Sequence, residues 1–113
     1  MIARLWHGWT TPAQADAYEQ LLREDIFRGI AGRAMPGYRG IELFRRVAGD
    51  EVEFVTLMRF DSIGAVRAFA GDDYENAVVP PRARQLLSRF DARSVHFEIR
   101  ETDPATRRPG RAP

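Results

Sequence analysis

The segment GIELFRRVAGDEVEFVTLMRF, residues 40–60, decides the fold. Gly49-Asp50 at its centre is a dipeptide that closes a two-residue β-hairpin, since glycine takes the positive φ such a turn needs. The flanking runs GIELFRRVA and EVEFVTLMRF, rich in β-branched and aromatic residues, read as its two strands. In the second strand Val55, Leu57 and Arg59 alternate with Phe54, Thr56, Met58 and Phe60, and both sets are largely apolar. A sheet with one face in water has no need of that. Both faces are therefore expected to be covered, one by helices and the other by a second copy of the chain.

Upstream, MIARLWHGW (1–9) is an aromatic-rich strand ended by Thr-Thr-Pro. TTPAQADAYEQLLREDIFRGIAG (10–32) reads as a helix, with Thr11 as N-cap and Pro12 at the first helical position. Tyr18, Leu22, Ile26 and Ile30 recur along it every four residues, and Leu21 and Phe27 widen the stripe. AMPGYRG (34–40) is a turn. Downstream, Asp61-Ser62 caps a second helix, SIGAVRAFAG, with Ile63, Val66 and Phe69 on its apolar face and Gly71 at its end. DDYENAVVPP (72–81) is a connector with one helical turn. A short helix starts at Pro80 or Pro81 and carries Leu86, Leu87 and Phe90. RSVHFEIRE (93–101) alternates strictly and reads as the last strand.

The order is β-α-β-β-α-β with an extra short helix. That is the ferredoxin-like α+β pattern, an antiparallel sheet with helices on one face. Residues 1–101 are expected to form a single domain, and 102–113, rich in Pro and Arg, a disordered tail.

Composition removes several classes of chemistry. The chain of 113 residues is 44% hydrophobic, enough for one cored domain. It has no cysteine, so disulfides, thiolate catalysis and Cys-based zinc sites are excluded. All 17 basic residues are arginine, which excludes a lysine Schiff base. Residues 1–101 hold 14 Arg against 15 acidic residues, a balance that gives nucleic-acid binding little support. No run of 18 apolar residues and no secretory signal is present, so no membrane partner and a cytoplasmic location are expected. The two histidines, His7 and His96, are 89 positions apart without a metal-ligand pattern, so no metal site is expected. Asp72, Asp73 and Glu75 lack calcium-loop spacing and read as a solvated loop. GxSxG is absent.

Strand alternation sorts the remaining candidates by face. Val95, Phe97 and Ile99 oppose Ser94, His96, Glu98 and Arg100, and the apolar set is expected beneath the helices. Arg4 and Trp6 oppose Leu5, His7 and Trp9. An arginine beneath helices is costly without a partner, so Arg4 and Trp6 are placed on the helix-free face. Arg4, Trp6, Thr56, Met58, Phe60, His96 and Glu98 would then surround one semi-apolar space, the usual style of a small-molecule site. His7 is expected to face the helices or a strand end in a structural role, and Trp9 to lie beneath the connector.

IARLWHGWT (2–10), PGYRGIELFRR (36–46), GDEVEFVTLMRFDSIGAVRAFAGDDYENAVVP (49–80) and SVHFEI (94–99) together resemble the antibiotic biosynthesis monooxygenases of the dimeric α/β-barrel superfamily. The resemblance implies ferredoxin-like protomers that pair through their sheets into a homodimer, each keeping its own cavity. It also implies a cofactor-free oxidation of electron-rich phenols by O₂. Characterised members resemble one another in using a Trp, a Tyr, an Asn, an Arg and a His there. Trp6, Tyr74, Arg4 and His96 are the matching residue types here, whereas Asn76, the sole asparagine, lies in the connector and Phe60 stands where close relatives resemble Trp. Haem oxygenases of the same topology ligate iron through a helical His, and both histidines here are on strands.

The functional expectation is a cofactor-independent monooxygenase-like protein acting on a small aromatic or quinol-type compound, with no cofactor. His96 would take a proton, Arg4 would stabilise the oxyanion, and Trp6, Thr56, Met58, Phe60 and Tyr74 would bind the substrate. Two alternatives stand beside it. One is a non-catalytic small-molecule-binding or accessory homodimer of the same fold. In the other, the aromatic face is simply the dimer seam.

Overall fold

The structure is a computed structural model that describes residues 1–105. The expected disordered tail lies outside the described residues from 106 onward; 102–105 are exposed and have no regular secondary structure. The elements run β1 (Ile2–Thr10), α1 (Pro12–Leu21), a π-helical turn (Leu22–Ile26), α2 (Phe27–Gly32), β2 (Tyr38–Ala48), β3 (Glu51–Phe60), α3 (Ile63–Ala70), α4 (Pro81–Leu86), β4 (Arg89–Phe90) and β5 (Val95–Glu98). The antiparallel sheet has the order β2-β3-β1-β4, with β5 also pairing with β1. This is the ferredoxin-like α+β arrangement expected from the element order.

The local signals act as read. Gly49 has φ +66° in a two-residue turn that pairs Ala48 with Glu51. Ser62 accepts a hydrogen bond from the Ala65 amide and starts α3, which Gly71 ends at φ +93°. Other details differ. Thr11 precedes α1 without a side-chain cap bond, residues 72–80 hold no helical turn, Leu87 and Phe90 lie beyond the short helix with Phe90 in β4, and the last strand is confined to Val95–Glu98.

Helices cover one face. Tyr18 of α1 meets Phe54 edge-on at 4.9 Å, within a cluster that includes Ala15, Leu22, Val52 and Ala83. A second cluster joins Ile2, Met58, Phe60 and Val66.

The sequence assigned the two faces of β1 and β5 the wrong way round. Arg4 lies opposite both Met58 and His96, and Trp6 opposite Thr56, so these residues share the helix-covered face with Phe54 and Phe60. Arg4 is 3% exposed, whereas Val95 and Phe97, expected beneath the helices, are 55% and 54% exposed. His7 and Trp9 are also on the helix-free face. His7 Nδ1 bonds Glu53 Oε2 at 2.8 Å, and its ring stacks on Trp9 at 6.0 Å. Trp9 lies under the Arg89 guanidinium, 3.8 Å from the ring centroid, not under the connector. The inversion has a physical cause. The partner that a buried arginine needs is provided by backbone carbonyls, which no residue pattern reveals. The helix-free face thus carries Leu5, Phe44, Val55, Leu57, Val95 and Phe97.

Gly8 marks a tight approach within this face arrangement. A Cβ there would lie 2.9 Å from the Trp6 ring and 3.0 Å from a Leu87 methyl. Gly8→Val is expected to destabilise the protein by about 1–3 kcal/mol through overpacking. Gly29→Ala, in the interior of α2 with nothing within 4 Å, is expected to stabilise it by about 0.5–1 kcal/mol. Urea midpoints at unchanged slope check both.

Candidate functional site

Between the sheet and the helices lies a cavity of about 60 Å³. Its floor is Arg4 and Trp6 of β1, Ile41 of β2, and Thr56 and Met58 of β3. Its roof is Tyr18, Leu22, Ile26 and Phe27, and Phe69, Val78, Val79, Pro80, Ala83 and Ser94 close its sides. The roof depends on the π-helical turn, in which the Phe27 amide reaches back to the Leu22 carbonyl. On a regular helix of 3.6 residues per turn, residues four apart drift by about 40° at each step. The wider turn offsets that drift and keeps Tyr18, Leu22 and Ile26 over the sheet. The strict four-residue spacing was the one sequence signal for these wall residues.

Arg4 is the polar centre. Its Nη2 donates to the Asn76 carbonyl at 3.0 Å, and its Nη1 donates to the Tyr74 carbonyl and to His96 Nε2, the latter at 2.9 Å. The Phe69 ring centroid lies 5.6 Å from its guanidinium carbon. Among the described residues no carboxylate pairs with Arg4. Burial pulls its pKa down to about 10, which still leaves it a cation at neutral pH.

His96 lies behind Arg4 rather than on the cavity wall. It borders a surface groove with Tyr74, Glu75 and Arg93, and the Tyr74 ring meets it edge-on at 5.1 Å. Because Arg4 can only donate, Nε2 accepts and the ring proton sits on Nδ1. Burial first, and then the Arg4 charge, hold the imidazole pKa below its ordinary 6.5, while Glu75 opposes them.

The structure therefore brings Arg4, Trp6, Thr56 and Met58 together on the cavity floor, with His96 in contact through Arg4. Trp6 is held by a 2.7 Å bond from Nε1 to the Asp91 carbonyl and lies 6.0 Å from Phe90. Phe60 is not on the wall. It is fully buried between Tyr38 and Phe69, at 5.6 and 5.8 Å. Tyr74 contributes its carbonyl to Arg4, while its ring lies outward under Arg67. Glu98 is exposed toward Arg100 and is not the partner of His96. Asp73 and Glu75 pair with Arg93, as befits a solvated loop, and the Asn76 amide bonds Asp73 at 2.8 Å. No cluster of three metal-ligating side chains occurs among the described residues.

No family model and no curated protein matches the sequence. Solved structures do match the fold. A Bacillus cereus protein named as an antibiotic biosynthesis monooxygenase superposes with a TM-score of 0.61 at 11% identity, over 95% of this chain and 98% of that one. MhuD of Mycobacterium tuberculosis, a haem degrader with two haems in its active site, gives 0.57 at 20%, over 92% of this chain and 100% of that one. Rv0793 of the same organism gives 0.52 at 21%, over 93% and 98%. At these identities the fold is what is shared. It is the ferredoxin-like fold of antibiotic biosynthesis monooxygenase-type proteins, as the sequence resemblance implied.

Two measurements check the Arg4–His96 pair. The His96 midpoint in an NMR titration is expected below 6.5, returning toward it in Arg4→Gln. A depressed folded-state value means the unfolded chain binds the proton more tightly. The His96 contribution to stability is then fully present above 6.5 and is lost as pH falls through the folded-state value. Separately, Arg4→Met leaves the Tyr74 and Asn76 carbonyls without their donor. It is expected to destabilise the protein by about 2–4 kcal/mol in urea denaturation, with faster amide exchange across 74–77.

Proposed function

We propose that the cavity binds a small aromatic compound and that the protein is a cofactor-independent monooxygenase-like enzyme for a quinol- or anthrone-type substrate. The observation that carries this reading is a buried guanidinium with a neutral imidazole behind it, at the wall of an otherwise apolar, aromatic cavity. The substrate ring lies against Trp6 and Met58, with Thr56 at its edge. Its oxygen takes an Nη–H of Arg4. His96 stands behind Arg4, so it can act as the base only if Arg4 swings aside to that oxygen and opens Nε2 to the cavity; Nε2 would then accept a proton from the acidic C–H while Arg4 stabilises the oxyanion. With O₂, the ring CH₂ of an anthrone-type substrate becomes C=O and the second oxygen leaves as water with both hydrogens.

A haem does not suit this site. No histidine lines the cavity, His96 Nε2 is held by Arg4, and burial raises the pKa of Tyr18, whose ring is on the wall. No step is therefore routed through a porphyrin, although MhuD binds one.

A non-catalytic binding protein of the same fold is the second reading. It is favoured by the engagement of His96 with Arg4 in the closed cavity. Anthrone- and quinol-type compounds incubated under O₂ separate the two. The enzyme reading expects turnover that falls by about two orders of magnitude or more in His96→Ala. Equal turnover removes His96 from the mechanism, and binding without turnover leaves the accessory reading.

We also propose that two copies pair through the helix-free face. Leu5, Val55, Leu57, Val95 and Phe97 form an apolar surface across β5, β1 and β3, and a second copy is self-complementary to it. Sedimentation is expected to give twice the 12.9 kDa of one chain, and Leu57→Glu to return the mass to a single copy.

A further inference from the structure

We propose that the ligand of this cavity is an aromatic compound that is already an anion when it binds. Its carboxylate or ionised phenol would dock on Arg4 in place of the Tyr74 and Asn76 carbonyls. The proposal rests on the small-aromatic reading above and names the charge class of that ligand.

Three observations converge on it. Arg4 is a buried cation without a carboxylate partner among the described residues; it is 3% exposed and satisfied only by neutral acceptors. A desolvated cation gains most from an opposite charge, because an anionic acceptor adds direct Coulomb attraction, little screened in a buried site, to the hydrogen bond that a neutral carbonyl already gives. The remaining walls are mainly apolar, so the anionic group of a ligand has one evident anchor. Finally, the cavity is too small as it stands. About 60 Å³ is well below the roughly 150 Å³ of an apolar cavity that admits benzene.

The last two points are linked. The segment that narrows the cavity, Val78 to Pro80, follows directly on Tyr74 and Asn76, whose carbonyls Arg4 holds. A ligand anion that takes over the guanidinium removes those two tethers. The connector is then held by the Arg93 pairs with Asp73 and Glu75, the Ala77 amide on the Ala92 carbonyl, the Ser94 amide on the Glu75 carbonyl and Arg84 Nε on the Val79 carbonyl. The same exchange that seats the anion makes room for the ring. A neutral ligand competes poorly for Arg4 and leaves the connector closed.

An isosteric pair tests this by titration calorimetry at pH 7: 2-naphthoate against 2-naphthamide. The naphthoate is expected to bind about tenfold or more tightly, and to speed amide exchange at Asn76 and Ala77 where the amide does not. Arg4→Met should abolish the preference. Arg4→Lys, which keeps the charge, should retain part of it and guards against a methionine variant that fails to fold. Equal affinities, or tighter binding of the amide, overturn the anion class while the small-aromatic reading stands. Binding of neither probe overturns both. Preference for the naphthoate, with no O₂-dependent turnover of the anthrone- and quinol-type compounds, upholds the anion class and removes only the enzyme.

Discussion

One buried guanidinium organises this protein. Arg4 sits near the start of β1, the strand between β3 on one side and β4 and β5 on the other, and points into the space under the helices. A charge there is tolerated only if every N–H that faces the interior finds an acceptor. The carbonyls of Tyr74 and Asn76 and the lone pair of His96 serve that condition, taking three of the five N–H groups. Meeting it fixes the connector over the cavity, selects the tautomer of His96, and leaves the cavity with one cationic pole.

The second constraint is a sheet with two apolar faces. The helix-covered face is filled by aromatic contacts, Phe54 on Tyr18 and Phe60 on Phe69, with the cavity between the two clusters. The outer face is apolar at its centre but has a polar margin, where Glu53 accepts from His7 and from Arg46. Those bonds hold its carboxyl below the usual range. The π-helical turn serves the inner face only, by keeping the stripe from Tyr18 to Ile26 above the sheet.

The fold is one on which different chemistries are built, so function has to be read from the site. Superposition with antibiotic biosynthesis monooxygenase-type structures identifies the scaffold. What is particular here is the placement of His96, separated from the cavity by Arg4, and the lack of a histidine on the wall.

Much was legible in the sequence because it is local. The Gly49-Asp50 turn, the Ser62 cap, the Pro12 and Pro81 helix starts and the period-two alternation are consequences of neighbouring residues. Alternation also grouped Arg4, Trp6, Thr56 and Met58 correctly, since residues on one face stay together whichever way the face points. The direction of that face was not local. Val95 and Phe97 looked like the core beneath the helices, and Arg4, costly to bury there without a partner, looked like part of the helix-free face. Which side the helices cover was decided by carbonyl groups some 70 positions away, which every residue carries alike and which only the folded chain brings within reach of Arg4.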